Sequence, residues 1–420
     1  MKILFLNTSD RTGGAAIAAS RLRQALIKEG VDVSFLVKEK RSNDGNTFSC
    51  INTQLDRIIS IFFFIWERVV IFLNNKLKRA SLFKVSLANT GFDISKHPLV
   101  KEADIIHLHW INQGFLSLPS IKKILATGKP VVWTMHDMWI CTSICHYSYE
   151  CTRFNNSCDM CPFLNSTKGN DLSFKTGKKK LFIKESNINL VAVSSWLQSQ
   201  SEHSFITKGL SCRIIPNVLD NTLFIPSNKL LERKALNFPP DKHIILMGAA
   251  KLDDPIKGIN YLIDALTILS TNNKKDYLLL LFGMIKGNQS FIDQIPISHM
   301  HLGLLNSNQQ IAHLYQAADV VVVPSLYETF GQTIIEAMAC GCPAVSFNNS
   351  GQTDIIDHQV NGYLAEYKSA EDLANGIEWV LNHPNRKELS DACVKKVESC
   401  YSESVVARQY IELYNNLLKK

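Results

Sequence analysis

Two carboxylates eight positions apart, Glu328 and Glu336, stand in the stretch ADVVVVPSLYETFGQTIIEAMACGCPAVSFNNSGQTDII, residues 318–356. A carboxylate accepts two hydrogen bonds side by side, which suits the vicinal hydroxyls of a ribose or a hexose. Between them lie Phe330, Gly331, Gln332 and Thr333, at the start of an apolar helical pattern that Gly341 and Pro343 stop. A helix start after a parallel strand offers N–H groups and a positive dipole end, and Gly331 lets a ligand approach the backbone, so diphosphate fits there. Lys251 and Lys257 flank a loop after the strand pattern HIILMGAAK, as two ammonium groups able to neutralise a diphosphate leaving group. His136 and Asp137 end the strand pattern PVVWTMHDMW, and ligands of open parallel sheets sit at carboxyl ends of strands. Each residue alone has a plainer reading: a solvated carboxylate, two solvated lysines, a hydrogen-bonded structural histidine.

The elements that must position these groups alternate. KILFLN reads as a strand that leads through residues 9–12 to Gly13 and Gly14, then to the helical pattern AAIAASRLRQALIKEG and the strand VDVSFLV. Glycines at that helix start allow an anion or sugar to come close, although the pattern is not G-x-G-x-x-G and a ligand-free tight turn explains it equally well. DIIHLHW and NLVAVSS are further strands of the first half, and His107 and His109 lie in the former. After a proline-bearing linker at 221–241 a second series opens, with strands HIILMGAAK, YLLLLFG, HLGLL and 319–324, and helices near 306–318, 369–383, 386–401 and 404–420.

The combination A-D-V-x-V-x-P-S, then E-x(7)-E, then A-M-A-x-G-x-P resembles glycosyltransferase family 4, the retaining GT-B enzymes. The resemblance implies an α/β chain of two Rossmann-like, doubly wound domains facing across a cleft. Residues 1–220 would bind the acceptor and 221–403 the nucleotide sugar, with the helix at 404–420 crossing back to the first domain. It also implies site roles. T-x-H-D carries the catalytic-site role to His136, T-G-G-A-A resembles the family's glycine loop at Gly13 and Gly14, and Lys251 and Lys257 match its basic pair. Lys251 stands where Arg is more usual, which removes a bidentate fork. Glu336 would hold ribose and Glu328 the transferred sugar, with hexosyl transfer to a hydroxyl as the reaction.

The 420 residues suit two domains, and the composition is that of a soluble globular protein. The first strand is too short for a signal-peptide core, so the chain is expected in the cytosol. Net charge is +11 for residues 1–220 and −4 for 221–420, a basic first half that suits anionic lipid or an anionic acceptor. No nucleic-acid module accompanies it, so no nucleic-acid partner is expected. Residues 58–73, IISIFFFIWERVVIFL, are too few and too charged to span a bilayer. Ser60, Glu67 and Asn74 fall seven apart on a polar stripe, and Lys76, Lys78, Arg79 and Lys84 follow. A buried core helix and a helix lying in a membrane interface both explain this pattern.

Of the 11 cysteines, Cys145, Cys151, Cys158 and Cys161 share one loop. Four thiolates close a structural zinc site, but only one pair has C-x-x-C spacing, and a reduced, unligated loop is the other reading. The loop resembles an insertion in the capsule and colanic-acid branch of the family. That branch implies a lipid-linked saccharide acceptor in surface-polysaccharide synthesis and peripheral attachment to the inner face of the membrane. No D-x-D pair presents itself, so no metal or cofactor is expected in the chemistry. A sugar phosphorylase or nucleotide-sugar epimerase of the same fold is the nearest rival, and a non-catalytic zinc-bearing interaction protein the more distant one.

Overall fold

The computed structural model describes residues 1–420 except 80, 273, 274, 288, 306 and 420, and except the side chain of 272. The chain forms two compact units, residues 1–218 with 406–420, and residues 219–405.

The first unit is built on seven parallel strands: β1 (Lys2–Ser9), β2 (Asp32–Glu39), β3 (Thr47–Ser49), β4 (Ile105–Leu108), β5 (Val131–Met135), β6 (Ile188–Ala192) and β7 (Cys212–Ile214). Their order is β3-β2-β1-β4-β5-β6-β7, so the winding reverses between β1 and β4. Every residue of β4 and β5 is buried, as a parallel sheet covered on both faces requires. α1 (Gly14–Lys28) follows β1 and packs Ala19, Leu22 and Leu26 against Phe5 and Phe35. The helix Glu403–Leu418 adds Val406, Tyr410, Leu413 and Tyr414 to the same core.

α2 (Gln54–Asn74) begins with a capping box in which Thr53 and Asp56 satisfy each other's backbone N–H groups. It is turned inside out. Ser60, Glu67, Arg68 and Ile71 are its buried residues, whereas Ile58, Phe62, Ile65 and Trp66 are exposed at 64, 56, 52 and 46%. The core-helix reading of residues 58–73 therefore fails, because the apolar face points outward and the polar stripe inward. Asn74 alone of that stripe is exposed, bonded to the carbonyl of Val70. Glu67 pairs with Arg68 at 2.8 Å and accepts the N–H groups of Leu87 and Ala88, which satisfies its buried charge. No helix among the described residues is long and apolar enough to cross a membrane.

The second unit holds six parallel strands: β8 (His243–Lys251), β9 (Tyr277–Met284), β10 (Ser298–His301), β11 (Val320–Val323), β12 (Ala344–Phe347) and β13 (Gly362–Ala365). Their order is β10-β9-β8-β11-β12-β13, and here the winding reverses between β8 and β11. Three sequence expectations shift. The strand foreseen at HLGLL ends at His301, beyond which Gly303 turns the chain at φ +70°. The helices foreseen at 306–318 and 404–420 are Asn308–Ala317 and Glu403–Leu418, with residues 306 and 420 outside the described residues. The short β3 carried no signal of its own.

Candidate functional site

In an open α/β sheet the ligand crevice lies at the carboxyl ends of strands where the winding reverses. In the second unit that point is β8 and β11, and the residues singled out by sequence lie at or just beyond the ends of these two strands. Lys251 is the last residue of β8. The turn Pro255–Lys257 follows, with Asp254 capping it at the N–H of Ile256. Gly258 then adopts φ +68°, and a Cβ there would stand 1.9 Å from the carbonyl oxygen of Pro324. Only glycine permits that approach, which docks the turn against the end of β11. Leu326 donates its N–H to Ile256, completing the junction.

The junction brings Lys257 to Glu328, Nζ to Oε1 at 2.5 Å. Ser325 donates to the same oxygen at 3.0 Å, Ser350 accepts the N–H of Glu328, and Gly351 donates to its carbonyl. Glu328 is thus held by side chain and backbone, and its Oε2 has no hydrogen-bond partner among the described residues. The helix Gln332–Ala339 starts four residues later. Its first intrahelical bonds run from Ile334 and Ile335 to Gly331, so the N–H groups of Gln332 and Thr333 precede them at the positive end of the dipole. Glu336, half-buried on this helix, accepts a hydrogen bond from Tyr315 at 3.3 Å.

Two expectations change in detail. Gly331 is required by its φ of +125°, while its Cβ side is closed by Ile334 and Ile355 at 3.1 Å, so the missing side chain does not open the site there. The Phe330 side chain is buried against Tyr401, so only its backbone could serve the role expected of it. Asp253 accepts the N–H groups of Lys286 and Gly287, and so ties two loops together.

In the first unit the winding reverses at β1 and β4. Trp110 donates its N–H to Asn7, and Thr8 donates to the Trp110 carbonyl, which clamps the two strand ends. Gly13 caps α1 at φ +91°, and added Cβ atoms at Gly13 and Gly14 would meet nothing within 4 Å, so this glycine pair does leave the helix start open. His136 follows β5 directly, half-buried, with Nε2 3.0 Å from Nδ1 of His109. Burial pushes the His136 ring down to about 4, partly offset by Asp137, and pushes the buried His107 and His109 rings well below their ordinary value. Burial alone would raise the Asp137 carboxyl, but His146 at 2.6 Å, the N–H of Trp139 and the indole of Trp110 hold it below the usual range.

Sequence reasoning missed Ser325, Ser350 and Tyr315, which orient the two carboxylates, because single hydroxyl residues carry no spacing signal. It gave His109 only a weak claim. It also missed Lys180, whose buried ammonium donates to the carbonyls of Trp139 and Thr142 and lies 3.5 Å over the Trp139 ring. Burial brings that ammonium down to about 7.

Cys145, Cys151, Cys158 and Cys161 line one cavity of about 20 Å³. No group of three His, Cys, Asp or Glu among the described residues is arranged to hold a metal ion. Burial keeps Cys161 a thiol, pushed up to about 12, and Cys145 higher still. Protein contacts order the loop: Arg153 donates to the carbonyls of Asp159 and Met160, and Asp171 accepts the N–H of Cys161.

Known proteins match over nearly the whole chain. The family model described as Glycosyltransferase Family 4 covers residues 12–220, and that described as Glycosyl transferases group 1 covers 228–399. An uncharacterized glycosyltransferase of Haemophilus influenzae is 24% identical over 385 residues, 90% of each chain. One of Methanocaldococcus jannaschii is 32% identical over 190 residues, so the chain spans 48% of that relative's length and 44% of its own. Among solved structures, sucrose-phosphate synthase from Thermosynechococcus elongatus superposes with a TM-score of 0.68 at 19% identity, over 100% of this chain and 99% of that one. The Anabaena protein HepE, solved with UDP and glucose, gives 0.61 at 18% identity, over 99 and 100%. These structures share the GT-B fold.

Proposed function

This chain belongs to glycosyltransferase family 4, and on that premise we propose that it moves a hexosyl unit from a nucleoside-diphosphate sugar to a hydroxyl of a lipid-linked saccharide, with retention. The observation that carries the reading is the contact of Lys257 with Glu328, four residues before the helix Gln332–Ala339, at the β8/β11 reversal where Lys251 ends β8. In this reading the two ammonium groups and the N-terminal turn offset charge on the departing diphosphate. Glu336 takes the ribose hydroxyls. Glu328, anchored through Oε1, offers Oε2 to the transferred sugar. A fold that holds UDP and glucose in HepE is suited to such a donor.

In this reading the first unit binds the acceptor, with His136 at the end of β5 and with Gly13 and Gly14 leaving the start of α1 open. Support for a lipid-linked acceptor comes from α2. Phe62 and Trp66, each about half exposed, forgo on the order of 1 kcal/mol apiece that full burial would add. An anionic inner-membrane surface is the partner whose chemistry fits, since the exposed bases Lys76, Lys78, Arg79 and Lys84 follow the apolar face. The product class is a bacterial surface polysaccharide of the capsule or exopolysaccharide kind. The test is a panel of nucleoside-diphosphate sugars with membrane extracts as acceptor, the anomeric configuration of the product being read by NMR. An inverted anomer, or sugar delivered to free phosphate, contradicts the proposal.

A further inference from the structure

A cavity of about 210 Å³ opens at the amino ends of β11 and β12, where Asp319 and Pro343 lead into the two strands. Lys251, Lys257 and Glu328 stand at the opposite, carboxyl ends of the same sheet. The space equals roughly seven waters of liquid volume, so a molecule of up to monosaccharide size fits.

Its charge is one-sided. Of the charged residues in its wall, Lys229, Arg386 and Lys387 are cationic and only Asp319 is acidic. Lys229 at 2.9 Å and Arg386 at 3.2 Å share Oδ1 of the buried Asp319, while Arg233 at 2.6 Å and the N–H of Ile244 take Oδ2. Burial alone would raise this carboxyl, but Lys229 and Arg233 hold it below its usual range, so it stays ionised. One negative charge therefore answers three positive ones. Arg233 directs the rest of its fork at the carbonyls of Ala317, Pro240 and Lys242. Lys229 bonds only Asp319, and Arg386 only Asp319 and the carbonyl of Leu381, so an ammonium and a guanidinium keep donors for a further acceptor. Lys387 is shared with Asp391. The first turn of the 16-residue helix Arg386–Tyr401 forms this wall, and its positive dipole end adds to the field.

A second, independent observation comes from an uncharged side chain. Gln316 belongs to the same wall and is only 8% exposed. Its Nε2 donates to the carbonyl of Ile225 at 2.7 Å, which fixes the orientation of the amide, and its Oε1 has no hydrogen-bond partner among the described residues. A buried amide oxygen calls for a donor. A phosphate dianion suits the cations but has no proton for this oxygen, whereas a hydroxyl supplies one.

We propose that this cavity is a second ligand site, for a small phosphorylated polyol whose phosphate meets Lys229, Arg386 and the helix start while a hydroxyl donates to Gln316. The site lies wholly within the second unit and does not depend on the transfer reaction proposed above.

Calorimetric titration of the full chain with glycerol 3-phosphate, inorganic phosphate and glycerol tests it. Glycerol 3-phosphate should bind, inorganic phosphate should bind more weakly, and glycerol should give no measurable heat. Arg386→Gln, a change at an exposed side chain, should weaken glycerol 3-phosphate roughly tenfold, the loss of one charged hydrogen bond. Lys257→Gln, which removes a charge from the donor crevice, should leave that affinity unchanged. Gln316→Met should lower the affinity for glycerol 3-phosphate to that for inorganic phosphate without altering the latter. Melting temperatures check that each variant is folded, and if Gln316→Met is not, the comparison of the two anions on wild type carries the hydroxyl claim. No binding of glycerol 3-phosphate by wild type overturns the proposal, as does binding that Lys257→Gln weakens and Arg386→Gln leaves intact. Equal affinity of wild type for glycerol 3-phosphate and inorganic phosphate overturns the assignment to a polyol.

Discussion

Lys257 and Glu328 are 71 residues apart in the chain and 2.5 Å apart in space, ammonium nitrogen to carboxylate oxygen. Gly258 makes the meeting possible by letting the turn that carries Lys257 rest on the Pro324 carbonyl. The pair gives each group a partner before a donor arrives, and leaves Lys257 able to turn toward a diphosphate while Ser325 and the backbone still hold Glu328. Glu328 and Glu336 consequently have separable work.

Glu336 is assigned to ribose, so Glu336→Gln should weaken binding of the free nucleoside diphosphate by about tenfold, the loss of one hydrogen bond to a charged group. Calorimetric titration of wild type and variant checks this. Unaltered binding would move the ribose contact to another residue.

The outward face of α2 should bind anionic vesicles better than neutral ones in sedimentation. Each basic side chain near such a surface contributes about 1 kcal/mol, a part that salt weakens, while Phe62 and Trp66 add a part that salt leaves alone. Changing Lys76, Lys78, Arg79 and Lys84 to Gln should abolish the preference without unfolding the protein. Binding to neither vesicle type, with a dimer in solution, would assign the face to a second copy of the chain.

Acid should destabilise the fold through its buried histidines. His107, His109 and His136 have folded pKa values below the unfolded value of about 6.5, so the unfolded chain binds more protons as pH falls. Their contribution is complete above about 6.5 and is lost on the way down toward about 4, at roughly 1.4 kcal/mol per pH unit for each ring. Denaturant midpoints at about pH 7.5 and pH 5 test it. A constant midpoint would mean that these rings are protonated in the folded chain.

Chelation should leave the melting temperature unchanged, because Arg153 and Asp171 order the cysteine loop. Elemental analysis of protein purified under reducing conditions should find zinc well below stoichiometric. About one zinc per chain, with a melting temperature that falls on chelation, would show that Cys145, Cys151, Cys158 and Cys161 close on a metal after all.

The sheets were legible where burial on both faces writes continuous apolar runs, as at Val320–Val323 and Val131–Met135. The helix Gln332–Ala339 was legible because Gly331, Gly341 and Pro343 bracket it. α2 shows what periodicity withholds: the pattern says that one face differs from the other, and only the partners of Glu67 say which face turns inward. The contact of Lys257 with Glu328 and that of His109 with His136 are tertiary, set by strand order, and no spacing announces them. Zinc was suggested by residue type alone, and residue type does not tell a ligand set from a packed loop.

Release of nucleoside diphosphate from nucleoside-diphosphate hexoses, with transfer of the sugar to acceptor followed in parallel, is the most direct test of the central claim. Wild type should use at least one donor in the panel. Glu328→Gln, which keeps the shape but loses the charge that Lys257 and Ser325 steady, should turn over roughly 10²-fold more slowly while binding nucleoside diphosphate as wild type does. A Glu328→Gln enzyme with wild-type turnover, or a wild-type protein that consumes no hexose donor, would contradict the account.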